Sequence, residues 1–418
     1  MRFCPRGCVP PDFKKIVLAR FFYSFAVEMM AVIVGWRMYA LTHDPLHLGL
    51  IGLAEAFPAL TIALYAGYIV DRSRPLLVYL NVVFGSLISI AIVLLSQLPT
   101  MGIHPTWQVL ALYAASFMGG AARGFSQPSY YAAVPRMLSR TSLAKASAWS
   151  STSMQIARIA GPGIGGFLFG WVGVSGSAGL AILLLLAAFF AVVAVKNKPP
   201  APASPKNTDI REELFSGARF VWKHSILFPA LTLDMVSVLF GGVTALLPIF
   251  AADILHIGPT GLGALRAAPA VGAGLMSLWL TRFEIKQKAG PYLFTSVAGF
   301  GVCILIFGFS HHFLLSLFAL GLSGAFDSVS MVVRSAAVQL ASPDAMRGRI
   351  SAVNSIFIGS SNELGEFESG IAASLLGTVP AVLFGGVMCL ATVLVVFVVS
   401  PTLRNLHLGK LEEEGATA

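Results

Sequence analysis

Residues 174–195 read VSGSAGLAILLLLAAFFAVVAV, residues 196–225 read KNKPPAPASPKNTDIREELFSGARFVWKHS, and residues 226–252 read ILFPALTLDMVSVLFGGVTALLPIFAA. Two apolar stretches, each long enough as a helix to cross about 30 Å of hydrocarbon, flank one polar connection. Its Pro-Ala-Ser start reads as linker, and Ile210 to Val221 reads as a short amphipathic surface helix. The same apolar pattern recurs on both sides, with spans expected at 16–41, 47–70, 76–98, 106–134, 143–171, 174–195, 226–252, 259–281, 290–309, 313–340, 347–376 and 379–400. The chain thus divides into residues 1–195, a linker at 196–225, and residues 226–418, with six spans in each half.

Composition agrees with a bilayer as solvent. With 56% hydrophobic residues, 11% charged residues and a mean hydropathy of +0.80, too little polar surface remains for a soluble domain of this length. Five basic residues, Arg37, Arg123, Arg158, Arg266 and Arg334, lie inside apolar segments; of the rest of the 28 Lys and Arg, Arg20, Lys145, Arg347 and Arg349 lie near the cytoplasmic ends of their spans and the others sit before, after, or on alternate loops. The intervening loops carry none. That is the positive-inside pattern with both ends in the cytoplasm, and it explains the net charge of +9 without invoking nucleic acid. Cys4, Cys8, Cys303 and Cys389 avoid the external loops, so neither a disulfide framework nor a zinc set is expected. The start, MRFCPRGCVPPDFKK, has no short apolar core with a small-residue cleavage site, so the first helix is expected to be retained.

The halves resemble each other. A slide of 204 residues places Gly120 on Gly324, Arg123 on Asp327, Gly161 on Gly365 and Gly166 on Gly370; a slide of 211 places Gly52 on Gly263, Glu55 on Arg266 and Pro58 on Pro269. Such a parallel repeat implies two six-helix bundles related by an axis along the membrane normal, with a binding site between them.

The loop after span two, Gly67-Tyr-Ile-Val-Asp71-Arg72-Ser-Arg74, resembles the G-x-x-x-D-R-x-x-R/K loop of the major facilitator superfamily, its final base one residue early. Span five carries Gly161-Pro162-Gly163-Ile164-Gly165-Gly166, similar to the G-P-x-x-G-G end of the motif associated with the superfamily's antiporters, with Ala157 where that motif has an earlier glycine. Arg123-Gly-Phe-Ser-Gln-Pro128 through Val134-Pro135-Arg136, and Ser342-Pro-Asp-Ala-Met-Arg347-Gly348-Arg349, resemble the enterobactin-exporter-like, transmembrane secretion effector branch. The resemblance implies an all-α membrane protein of twelve helices, working by alternating access and driven by a gradient. It also implies a conformational latch in which Asp71 caps span eleven while Arg347 and Arg349 reach it, with Gly67, Arg72 and Arg74 shaping the loop.

Besides the bases near their cytoplasmic ends, the spans hold twelve charges: Glu28, Arg37, Glu55, Arg123, Arg158, Asp234, Arg266, Asp327, Arg334, Glu363, Glu366 and Glu368. Facing lipid they would cost on the order of 30–40 kcal/mol, so they must face the cavity, pair, or be neutral. Acids outnumber bases, and an acid without a counter-ion is a candidate to hold a proton. Glu28, in the span that lines the cavity in this superfamily, is the first candidate and Asp234 the second. Arg123 and Asp327, at repeat-equivalent positions, are candidates to contact substrate or to change partners; the alternative pairs Asp327 with Arg334 along one helix face. Glu55 and Arg266 are candidates for an external gate. Arg158, one turn before Pro162, could meet an anionic substrate group or a carboxylate.

Span eleven holds Glu363, Glu366 and Glu368. Residues 363 and 366 are about 60° apart around a helix while 368 points well away, and no His or Cys accompanies them, so no metal site is assigned. Glu366 is retained as a cavity candidate. Gly161, Pro162, Gly165 and Gly166 are expected to let a neighbouring backbone approach and to permit a bend.

The expected function is secondary active transport: proton-coupled export of an amphipathic organic molecule, siderophore-like or drug-like. A lipid flippase, a solute importer and a non-transporting membrane sensor are the alternatives. There is no nucleophile-base constellation and no phosphate loop, so neither enzymatic activity nor a cofactor is expected. The partners expected are a small-molecule substrate, protons and membrane lipid, with the chain a monomer in a bacterial inner membrane.

Overall fold

A computed structural model describes residues 10–138, 140–196, 210–283, 285, 287–343 and 346–409. Among them there is no strand. The helices are α1 (Pro11–Thr42), α2 (Pro45–Arg72), α3 (Pro75–Gln97), α4 (Pro105–Ala133), α5 (Arg140–Val193), α6 (Ile210–Lys223), α7 (Leu227–Gly241), α8 (Leu247–Ile249), α9 (Gly258–Leu280), α10 (Ala289–Phe309), α11 (Phe313–Ala341), α12 (Arg347–Leu376), α13 (Thr378–Val399) and α14 (Pro401–Arg404). The first four each begin with proline, whose fixed φ and missing N–H suit the first turn of a helix.

Nine helical segments among the described residues are long and apolar enough to cross a membrane. One of them, Ala146–Val193, is interrupted at Gly173, where φ is 66° and ψ −165°. This backbone is open to glycine and strained for other residues. Helices α4, of 29 residues, and α12, of 30, match the others in length, but their polar and charged residues keep them out of that set. The stretch expected as one span at 226–252 is not a single regular helix. It breaks at Gly242, which is extended, then passes through a tight turn at Thr244–Leu246, α8, and a wide π turn at Phe250–Ile254. Ser369 on α12 donates to the Gly242 carbonyl at 2.7 Å, satisfying an acceptor the break exposes.

The chain packs as two compact units: residues 1–206 with 250–267, and residues 207–249 with 268–418. In the first, α1 lies along α5, α2 along α4, and α3 against both α4 and α5. Glycines set these contacts. Gly120 and Gly124 lie against the α2 backbone at Glu55 and Ala59, while Gly161 and Gly165 receive α1 at Phe25–Met29. Membrane helices lack a hydrophobic drive to associate, so close backbone approach and the dispersion it brings take its place.

In the second unit, α7 packs on α12 and α13, and α10 on α11 and α13. Leu233, Leu293, Phe294, Val297, Val333 and Cys389 form part of its core. Gly324 on α11 lies against the α9 backbone at Pro269, three residues beyond Arg266, the sequence-repeat equivalent of the Glu55 that Gly120 meets.

Candidate functional site

In α1, Glu28 is half-buried, and among the described residues it has neither a hydrogen bond nor an ion pair. Its Cβ sits on the glycine motif of α5: a Cβ built on Gly161 would stand 2.8 Å from it. One turn on, a Cβ on Gly165 would stand 2.9 Å from the Met29 carbonyl oxygen. The carboxyl group therefore stems from a place where α1 and α5 are in close contact. Gly166 faces elsewhere, against Pro259 and Gly263 of α9, while Gly163 has nothing within 4 Å. Pro162 turns its carbonyl oxygen toward Gly263, 2.6 Å from where that residue's Cβ would be.

Arg123 on α4 meets Glu55 on α2, Nη1 to Oε1 3.4 Å, with both side chains about a third exposed. This joins the base of one expected pair to the acid of another, inside a single unit. Arg266 is half-buried on α9 and has no such partner among the described residues. Arg158 is exposed on α5 and likewise unpaired there. Tyr23 on α1 and Tyr79 on α3 are buried, and their rings meet edge-on at 6.0 Å.

In the second unit Asp234 and Arg334 form a buried ion pair between α7 and α11. The alternative partner weighed for Arg334, Asp327, is half-buried on α11. Glu363, Glu366 and Glu368 are all half-buried on α12. Of the latch residues, Arg72 and Arg74 are exposed, and Arg349 donates from Nη1 to Ser216 of α6 at 3.1 Å. Among the described residues, nothing lies within 4 Å of where a Gly67 Cβ would be, so close approach to them gives no reason for a glycine there. The side chains of Asp71 and Arg347 lie outside what the structure describes, as does the linker at 197–209.

Two features escaped the sequence reading. Arg20, 7% exposed, stacks over the Tyr130 ring at 3.9 Å and donates to Ser150 at 3.0 Å, and Tyr130 donates to the same hydroxyl at 2.8 Å. Its closeness to Lys14 and Lys15 made it look like one more flanking base; the Tyr130-Tyr131 pair was the available signal. The second is Tyr39, near the end of α1, which donates to Asp253 in the π turn. Nothing local in either stretch points to the other.

The fold and its charged interior define a class: a polytopic helical membrane transporter of the major facilitator type. Residues 10–411 match the family described as "Transmembrane secretion effector", and the chain belongs to that family. Its relatives include the enterobactin exporter EntS of Escherichia coli O1:K1 and that of Citrobacter koseri, each 24% identical over 345 residues, covering 82% of this chain and 80% of theirs. Similar solved structures include a POT family transporter in complex with a thioalcohol-conjugated peptide (TM-score 0.75, 13% identity, 94% of this chain and 96% of that one). A bacterial homologue of the iron transporter ferroportin in an inward-facing state is another (TM-score 0.69, 14% identity, 94% and 99%). The family and these relatives are transporters rather than enzymes, and this chain is an integral membrane transporter.

Proposed function

We propose that this chain exports an amphipathic organic molecule, siderophore-like or drug-like, in exchange for inward-moving protons. The observation that carries the reading is Glu28: an acid without an ion partner among the described residues, seated on Gly161 where α1 and α5 touch. A proton on that carboxyl group changes the charge beside a contact that rocking would have to slide or bend. Coupling arises when proton and substrate favour different states. The relatives named as enterobactin exporters support outward transport of an organic cargo. One proton moving down about 100 mV supplies about 2.3 kcal/mol, enough for a roughly 50-fold gradient of a neutral cargo.

In this reading the protein has twelve spans, acts as a monomer in a bacterial inner membrane, and keeps both ends in the cytoplasm. Asp71, Arg72 and Arg74 latch against Arg347 and Arg349 in the outward-open state. Arg123 exchanges Glu55 for substrate or for Asp327 during the cycle, and Arg158 and Glu366 contact the cargo. Release of Glu55 leaves it available to Arg266 as an external gate.

The test is proton release from acidified inverted vesicles on addition of catecholate siderophores, lipophilic cations or lysolipids, comparing the natural chain with Glu28→Gln. A response to one class, abolished in the variant, is expected. A response that survives in Glu28→Gln removes Glu28 as the carrier, and a folded protein silent across the panel overturns proton-coupled export of these classes.

A further inference from the structure

Ser216, Arg219, Phe220, Lys223 and His224 line an open cavity of about 370 Å³ at the C-terminal end of α6, within the second unit. Arg219 and Lys223 are one helical turn apart, so both cations face the same space. Among the described residues, no acid lines it. The cavity is held firmly on α12: Arg349 donates to Ser216, and a Cβ on Gly217 would stand 3.0 Å from the Arg349 carbonyl, so α6 rests directly on that backbone.

His224 adds a donor of defined direction. Its Nδ1 accepts from the backbone N–H groups of Ile226 and Leu227, at 3.2 and 3.3 Å, at the start of α7. With Nδ1 used as acceptor, the ring proton of the neutral imidazole is on Nε2, free to donate. Burial keeps the ring below its ordinary value of 6.5, so this form holds at neutral pH. The N-terminus of α7 adds its partial positive charge.

Beside the cavity, Trp222 is 71% exposed and packs its ring 4.7 Å from that of Phe228. An exposed tryptophan next to paired cations, on an amphipathic helix followed by a membrane-spanning segment, suits the boundary between headgroups and acyl chains.

We propose that this cavity binds the phosphate of an acidic phospholipid from the adjacent leaflet, with Arg219 and Lys223 as cationic contacts, His224 as hydrogen-bond donor and Trp222 beside the glycerol. Charge selects an anionic headgroup over a zwitterionic one, because the choline of phosphatidylcholine would be brought against two cations. Through Arg349, the bound lipid would brace the first turn of α12.

The test uses the full-length protein, purified after exchange into mixed vesicles of phosphatidylglycerol and phosphatidylcholine, with retained lipid counted by native mass spectrometry. Selective retention of phosphatidylglycerol is expected. At about 1 kcal/mol for each cation near an acidic surface, R219A/K223A should lower that retention roughly 30-fold. R219K/K223R, which keeps both charges, should restore most of it and so separates loss of charge from loss of folding. Equal retention of the two lipids, or unchanged selectivity in R219A/K223A, overturns the proposal. So does displacement by millimolar inorganic phosphate without lipid preference, which would mark a site for soluble phosphate compounds.

Discussion

Gly166 and Gly263 meet backbone to backbone: a Cβ on Gly166 would stand 2.7 Å from the Gly263 Cα, and one on Gly263 would stand 3.0 Å from the Gly166 Cα. The glycine motif of α5 thereby works on two faces, holding α1 through Gly161 and Gly165, and the start of α9 through Gly166. Gly166→Ala forces backbone against backbone, where no side chain can yield, and should destabilise by about 1–3 kcal/mol. Gly163→Ala, placed in open space, should be neutral or stabilising by about 0.5–1 kcal/mol. Thermal unfolding of the two detergent-purified variants makes the comparison; equal shifts would mean the motif is not packed as described.

The buried pair of Asp234 and Arg334 sets a second expectation. Asp234→Asn leaves a guanidinium buried without its counter-charge and should cost about 3–5 kcal/mol, whereas the double change to Asn and Met should recover most of that loss. A double-mutant cycle on unfolding midpoints measures it. If the double variant also transports, Asp234 holds helices together rather than carrying protons.

Tyr39 and Asp253 tie the end of α1 to the π turn. Because Asp253 is exposed, the hydrogen bond should be worth about 1 kcal/mol. Tyr39→Phe should then speed hydrogen exchange across residues 250–257 roughly fivefold, and Asp253→Ala should match it without adding to it. Additive effects would show that the two groups act separately.

His224 gives a pH dependence of fixed sign. Burial lowers its folded value below 6.5, so between the two values the unfolded state binds more protons and stability rises with pH. The contribution is complete above the unfolded value and is lost as pH falls through it toward the folded one. Protection factors at the Ile226 and Leu227 amides, corrected for intrinsic exchange, should drop on acidification in the natural protein and stay flat in His224→Gln. A flat profile in both would show that the imidazole does not cap α7.

Much of the architecture was legible because a bilayer imposes its demands locally. An apolar run must be long enough to cross, a loop on one side gathers Lys and Arg, and both can be counted along the chain. The stretch at 226–252 departed from that reading: its apolar length was right, but Gly241-Gly242 and Pro248 leave the backbone free to break, and Ser369 rewards the break from another helix.

The sequence by itself determined that this is a helical membrane protein whose spans carry both acids and bases. Only the tertiary structure decided which charge answers which: Arg123 meets Glu55, and Arg334 meets Asp234. Periodicity places a side chain on a face of its own helix, but the partner comes from a helix remote in sequence, and its identity depends on how glycine contacts set the spacing and rotation of the two. That same packing carried Glu28 onto Gly161 and Arg20 onto Tyr130.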